Sequence, residues 1–209
     1  MLLTFSGLDG SGKTTIIGHI KDILNKTDKV CISYTIYFDI SIYGIIRKII
    51  PRSDKKKTAI QSKNQNNNTM KETISNKLLL FFRNKFTKLI IIYLDALISW
   101  VYVLYYCYIR KKILILDRYY YDFLIDIGLE GININKHYKY LSKIYPKPRL
   151  PIYIDINPSE AWNRKHEYNV EYLKEKRKYY NTIFRMNNNS LIIYNDDIDS
   201  TINKIIACL

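Results

Sequence analysis

Short apolar runs alternate with stretches of helical periodicity along this chain. Residues 2–6 form an apolar run that stops at glycine, which its length and flank mark as a buried strand. Residues 13–25 follow with Ile16, Ile17, Ile20, Ile23 and Leu24 on helical spacing. Residues 30–38 are β-branched and aromatic, a second strand. Residues 42–50 read as a short helix stopped by Pro51. Residues 113–116, 151–156 and 191–194 give a third, fourth and fifth strand. After the fourth, Asn157-Pro158-Ser159-Glu160 has the form of a helix start, with Asn as cap, Pro first and Glu third. Residues 170–185 form a charged helix with Leu173, Tyr180 and Ile183 or Phe184 on one face. Ile198, Ile202, Ile205, Ile206 and Leu209 mark a terminal amphipathic helix. Strands alternating with helices predict an α/β fold around a parallel sheet. The 209 residues fit one domain, and no internal repeat is visible.

Two stretches depart from this rhythm. Residues 52–76 carry Lys55-Lys56-Lys57 and Asn66-Asn67-Asn68 and almost no aromatics, so they read as a mobile insertion outside the core. Residues 89–109 hold a single charge, Asp95, between basic flanks, and their length alone would allow a membrane span. Asp95, five tyrosines and the strand that follows at once favour a helix buried against the sheet, and no membrane span is expected.

Composition narrows the classes. Three cysteines, Cys31, Cys107 and Cys208, are odd in number and far apart, which excludes a disulfide scaffold and points to a reducing, cytoplasmic compartment. His19, His137 and His166 make no zinc pattern. The first residues lack the basic start of a signal peptide. The net charge of +14 suggests an anionic partner. Lys, Ile, Asn and Tyr are enriched together, however, and Lys far exceeds Arg, as an AT-rich coding sequence would produce. A nucleic-acid partner is therefore not required.

Gly7-Leu8-Asp9-Gly10-Ser11-Gly12-Lys13-Thr14 matches the phosphate-binding pattern G-x-x-x-x-G-K-[ST], with a strand before it and a helix after. Glycines let the backbone N–H groups turn inward around a phosphate. The helix beginning near Lys13 offers its positive end to the same anion. The Lys13 ammonium then reaches the β and γ phosphates, and the Thr14 hydroxyl can ligate Mg²⁺. Asp117 and Arg118 follow the third strand at its carboxyl end, where ligands bind in open α/β sheets. Asp117 can orient Mg²⁺ or a water, or take the acceptor's proton, and Arg118 can clamp a phosphate in two-pronged fashion. Tyr119, Tyr120 and Tyr121 offer aromatic surface near a base, or core. Arg164, Lys165, Lys174 and Arg177 surround a short polar interruption and read as a basic lid at 164–177.

These motifs together resemble the thymidylate kinase family. Phe5-Ser6-Gly7-Leu8-Asp9-Gly10-Ser11-Gly12-Lys13-Thr14-Thr15 is similar to its P-loop, usually F-E-G-x-D-G-x-G-K-T-T. Asp117-Arg118-Tyr119 resembles its DR[YW] motif. Ile154-Asp155-Ile156-Asn157-Pro158-Ser159-Glu160-Ala161 with Arg164-Lys165 resembles its L-D-[VI]-x-P-E-x-A-x-x-R-K segment, and Glu171, Arg177 and Tyr180 fall on a loose E…R..Y pattern. The resemblance implies a three-layer P-loop NTPase with a five-stranded parallel sheet, ATP as donor, Mg²⁺, and a nucleoside monophosphate as acceptor, most simply dTMP. It implies that residues 7–15, through Thr15, hold ATP. It places Asp9, Arg118 and Tyr119 toward the acceptor, Thr14 and Asp117 on the metal, and Lys13, Asp117, Arg118 and Arg164 at the transferring group. A homodimer is usual in the family.

The chain departs from the pattern on the acceptor side. Ser6 replaces the usual Glu. Ile36-Tyr37-Phe38-Asp39-Ile40 stands where the family carries R-E-P-G-G-T, and a second family arginine falls near Ala96, with no stacking Phe a turn earlier. Two rivals follow: a kinase of this fold with another phosphorylated metabolite or an alcohol as acceptor, and a non-catalytic nucleotide-binding or membrane-associated protein.

Overall fold

The computed structural model describes residues 1–26, 30–35 and 84–209, and the statements below concern those residues. The expected helix at 42–50, the insertion at 52–76 and the stretch at 36–40 lie outside them.

Five strands form one sheet, β1 (Leu2–Gly7), β2 (Cys31–Thr35), β3 (Ile113–Asp117), β4 (Leu150–Asp155) and β5 (Leu191–Tyr194). Their order is β2-β3-β1-β4-β5, and every pairing is parallel. β1 is central and fully buried, as its unbroken apolar run requires. Helices α1 (Lys13–Asn25) and α7 (Ile198–Ala207) cover one face, where Phe5, Ile16, Ile20, Ile115, Ile152 and Ile205 pack together. The other face meets α2 (Lys85–Val103), α3 (Tyr120–Leu129), α4 (Ile134–Ile144) and α6 (Val170–Arg185). A short helix, α5 (Pro158–Arg164), precedes α6. The architecture is thus three layers, α/β/α, with the five-stranded parallel sheet in the middle.

Register brings the chemistry to one edge. Phe5 pairs with Asp117 and Gly7 with Ile154, so β1, β3 and β4 end beside one another. Asn157 caps α5 by accepting from the Ser159 N–H at 3.0 Å, with Pro158 at the first position, as its sequence foretells.

Two findings differ from expectation. Helices α3 and α4 did not emerge from the hydrophobic pattern, because the tyrosine run disguised the start of α3. The long apolar helix is also not buried all round. One side of it, with Ile91, Ile92, Ala96 and Val103, enters the core, while Ile90, Leu97 and Val101 are each more than 60% exposed. Thr87, Asp95 and Ser99 lie buried on the inner side. The helix continues as a π-helical turn, Leu104–Ile109, before Lys111 reverses the chain with φ 50°. Phe86–Ile109 is the one described helix long and apolar enough to cross a membrane by length and composition.

Candidate active site

The loop between β1 and α1 is built on glycine where nothing else fits. Gly10 has φ 88° and Gly12 φ 85°, the left-handed region that L-residues avoid. A Cβ on Gly10 would also come within 2.6 Å of the Ala161 carbonyl oxygen. Leu8 and Ser11 are fully buried and anchor the loop from below. The N-terminus of α1 has neither a side-chain cap nor an acid in its first turn. Its first N–H groups therefore keep their full attraction for an anion.

Lys13 lies inside this arch. Its ammonium donates to the Gly7 carbonyl at 2.9 Å, to the Leu8 carbonyl at 2.7 Å and to Ser11 Oγ at 3.3 Å. Burial, and then the neighbouring Arg118, pull its pKa down to about 8, against Asp117, Asp9 and Asp122. Thr14 and Thr15 follow on the exposed first turn of α1.

Asp9 forms an ion pair with Arg118 across the crevice. Burial raises the Asp9 carboxyl, but Arg118, Lys13, Lys176 and Lys165 outweigh it and hold the group below its usual range. Arg118 adopts φ 69°, uncommon for a residue with a Cβ, and its N–H donates to the Phe5 carbonyl at 2.7 Å. Backbone strain of this kind collects at functional sites. At the other end of the DR pair, Asp117 Oδ2 accepts from the Thr14 hydroxyl at 3.4 Å. Asp117 Oδ1 is buried with no hydrogen-bond partner among the described residues. Burial raises the Asp117 pKa, although Lys13, Arg118 and the Thr14 hydroxyl act the other way.

That orphaned oxygen tests the fit to Mg²⁺. A buried carboxylate oxygen without a donor is costly unless something supplies positive charge. Mg²⁺ is held by one or two protein oxygens, with waters and phosphates completing its shell. Asp117 and Thr14 are such a set. Among the described residues no cluster of three or more His, Cys, Asp or Glu could hold a metal alone. The residues present thus fit a cation that arrives with a phosphate ligand.

Other candidates separate from this group. Arg164 ends α5 on the exposed side, with Nη1 donating to the Gly10 carbonyl at 3.5 Å, so it reaches the loop only marginally. Arg177 is not a free lid cation. It makes a two-pronged pair with Asp155, Nε to Oδ1 at 2.7 Å and Nη2 to Oδ2 at 2.6 Å. Tyr119 corrects the expectation of a substrate contact: its ring is 0% exposed and its hydroxyl donates to the Pro146 carbonyl at 2.6 Å. Tyr120 and Tyr121 are buried in the same aromatic cluster.

The structure also brings in residues that spacing did not single out. Asn195, just past β5, is buried and donates from Nδ2 to the Ser11 carbonyl at 2.8 Å, while its Oδ1 accepts from Thr201 at 3.3 Å. It braces the loop from behind. Lys176 is buried against Asp126, with Nζ at 2.6 Å from Oδ1. Asp122 is buried beneath Arg118. Its signal was present, since Tyr119-x-x-Asp122 has the spacing of a cap with an acid three residues on.

The structure superposes on that of thymidylate kinase from Ehrlichia chaffeensis with a TM-score of 0.59. The match covers 99% of this chain and 96% of the other, at 19% sequence identity. The chain has the thymidylate kinase fold. No family model matches the sequence, and no curated protein matches it. The thymidylate kinase fold thus extends over nearly the whole chain at low sequence identity.

Proposed function

We propose that the protein transfers the γ-phosphoryl group of ATP to a nucleoside monophosphate, with dTMP the first candidate. The observation that carries the reading is the orphaned Asp117 oxygen beside Thr14, at the mouth of a lysine-filled P-loop and next to Arg118. The acceptor's phosphate oxygen forms the new P–O bond as the bond from the γ phosphorus to the bridging oxygen breaks, leaving ADP and a nucleoside diphosphate. Such transfer asks little covalent chemistry of the protein; position and charge supply the rate.

The roles we assign are supported by where each side chain stands. Residues 7–15 cradle the ATP phosphates, and Lys13 exchanges its loop carbonyls for phosphate oxygens. Asp117 and Thr14 would hold Mg²⁺, which would supply positive charge to the donor phosphates. Arg118 releases Asp9 and takes the acceptor phosphate. Asp9 then faces the acceptor's sugar, and Arg164 approaches the transferring group from the end of α5. We place the protein in a reducing, cytoplasmic compartment and its self-association on the exposed apolar face of α2, both readings that sedimentation and localisation can check.

A second reading changes only the acceptor. Ala96 packs into the core at 3% exposed, so α2 offers no arginine at the position where the resembled family carries one. Another phosphorylated metabolite or an alcohol would then replace dTMP. A coupled ADP-release screen across dTMP, other nucleoside monophosphates and sugars decides between them. Turnover on dTMP well above the rest supports the first reading, and turnover confined to another acceptor class supports the second. Nucleotide binding without turnover on any acceptor overturns both.

A further inference from the structure

Asp122 is a buried carboxyl group with an unusually complete set of donors. It is 0% exposed on the third residue of α3. Its Oδ2 accepts from Ser6 Oγ at 2.6 Å and from the Tyr119 N–H at 3.0 Å. Its Oδ1 accepts from the Tyr180 hydroxyl at 2.5 Å and lies 3.9 Å from Arg118 Nη1. A carboxylate this deep persists only when it is hydrogen-bonded in this way. Through it the end of β1, the turn after β3 and the middle of α6 are tied to one point.

That point lies directly behind Arg118. The Tyr119 N–H that Asp122 accepts from belongs to the residue directly after Arg118, whose φ is 69°. Backbone strain of this kind persists only where the surrounding structure holds it. The guanidinium also stands between two carboxylates of different accessibility. Asp9 faces the crevice and can be displaced by an incoming anion, whereas Asp122 is sealed beneath. Ser6 completes the pair, and it stands where the resembled family has a carboxylate. In this chain the carboxylate at that hydrogen bond is Asp122's.

We propose that Asp122 is the positioning residue for Arg118: it locks the strained turn and holds the guanidinium toward the crevice when Asp9 lets go. This rests on the phosphoryl-transfer reading for its kinetic consequence, though not for its geometry. Asp122 touches no reacting atom; it acts through Arg118.

The test uses the full chain carrying Asp122→Asn, Asp122→Ser, Ser6→Glu, and Ser6→Glu with Asp122→Ser. Asp122→Asn keeps the shape, and the Tyr180 hydroxyl can turn to accept from the new amide. It is expected to lower kcat at least tenfold with the KM for ATP within twofold of the parent. Ser6→Glu alone sets two carboxylates in contact and should lower the melting temperature. The exchanged double variant nearly conserves volume and returns one carboxylate to the pair. It should recover at least tenfold of the kcat lost in Asp122→Ser. In parallel, the Nε–Hε resonance of Arg118, assigned by its loss in Arg118→Lys, should shift or broaden in Asp122→Asn and be restored in the exchange. The proposal is overturned if Asp122→Asn and Asp122→Ser keep the parental kcat and an unmoved Arg118 resonance. It is equally overturned if the exchange does no better than Asp122→Ser alone. Should the parent transfer phosphate to no acceptor, the functional reading fails, and the Arg118 resonance still decides the role of Asp122.

Discussion

Replacing Arg177 with alanine separates two accounts of the basic segment after β4. In the sequence Arg177 belongs to a charged lid, whereas the structure gives its guanidinium to Asp155. Asp155 is 8% exposed, and its Oδ1 also accepts from the Tyr153 hydroxyl at 2.8 Å and the Ile156 N–H at 3.0 Å. Alanine leaves those two donors on Oδ1 but takes Arg177 Nε from Oδ1 and Nη2 from Oδ2. Hydrogen bonds to a charged group contribute about 1.5–3 kcal/mol to stability. The Arg177 side chain keeps 30% of its surface in water, which discounts the figure to about 1–2 kcal/mol. For a domain of this size that lowers the melting temperature by about 2–8 °C. The assay is thermal unfolding by circular dichroism alongside steady-state kinetics. The account predicts the loss of stability, with kcat reduced less than about fivefold, well short of losing a transition-state donor. Arg177→Lys, which cannot form the two-pronged contact, should fall between. An unchanged melting temperature together with a hundredfold loss of kcat would refute the reasoning and return Arg177 to the lid.

Tyr119→Phe should cost about 1 kcal/mol, because the Pro146 carbonyl loses a buried donor, and leave kcat/KM unchanged; a large rise in KM for the acceptor would restore Tyr119 to the substrate site. Lys13, with its pKa near 8 in the fold against 10.5 when free, binds fewer protons folded than unfolded between those values. Its presence therefore destabilises the fold fully below about pH 8 and progressively less as pH rises to about 10.5. Urea unfolding from pH 7.5 to 10 should show a gain with pH that is smaller in Lys13→Met, and equal slopes would contradict the burial. Asp117 has its pKa raised by burial, so its ionised form is disfavoured in the fold at neutral pH. Asp117→Asn should accordingly raise the metal-free melting temperature while removing the extra stabilisation that Mg²⁺ adds to bound ADP. A variant less stable than the parent without metal would count against an unrelieved charge there.

The portions legible in the sequence were those in which one segment carries the whole signal. The P-loop is eight consecutive residues whose glycines have a single conformational use. Strands β1, β3 and β4 follow from apolar runs that a parallel sheet buries on both faces. What stayed hidden depends on partners far apart in the chain. Arg177 finds Asp155 across 22 residues, and Asn195 reaches Ser11 across 184. A lone Asn in an Asn-rich chain offers no pattern to read. The tyrosines after Arg118 were ambiguous because aromatic side chains suit both a base and a core. Only the packing of Tyr119 against Tyr145 and Pro146 decided it. The long apolar helix misled in the opposite sense. Its hydrophobicity all round suggested burial, yet Thr87, Asp95 and Ser99 face inward while Leu97 and Val101 face out.

The central claim is that this crevice moves a phosphoryl group onto a phosphate held by Arg118. It is tested most directly by following label from [γ-³²P]ATP in the presence of Mg²⁺ and dTMP, with the parent chain and Arg118→Ala side by side. The account predicts labelled dTDP from the parent and none above background from Arg118→Ala, whose fold circular dichroism shows intact. Label appearing only as free phosphate, or transfer persisting undiminished in Arg118→Ala, would contradict it.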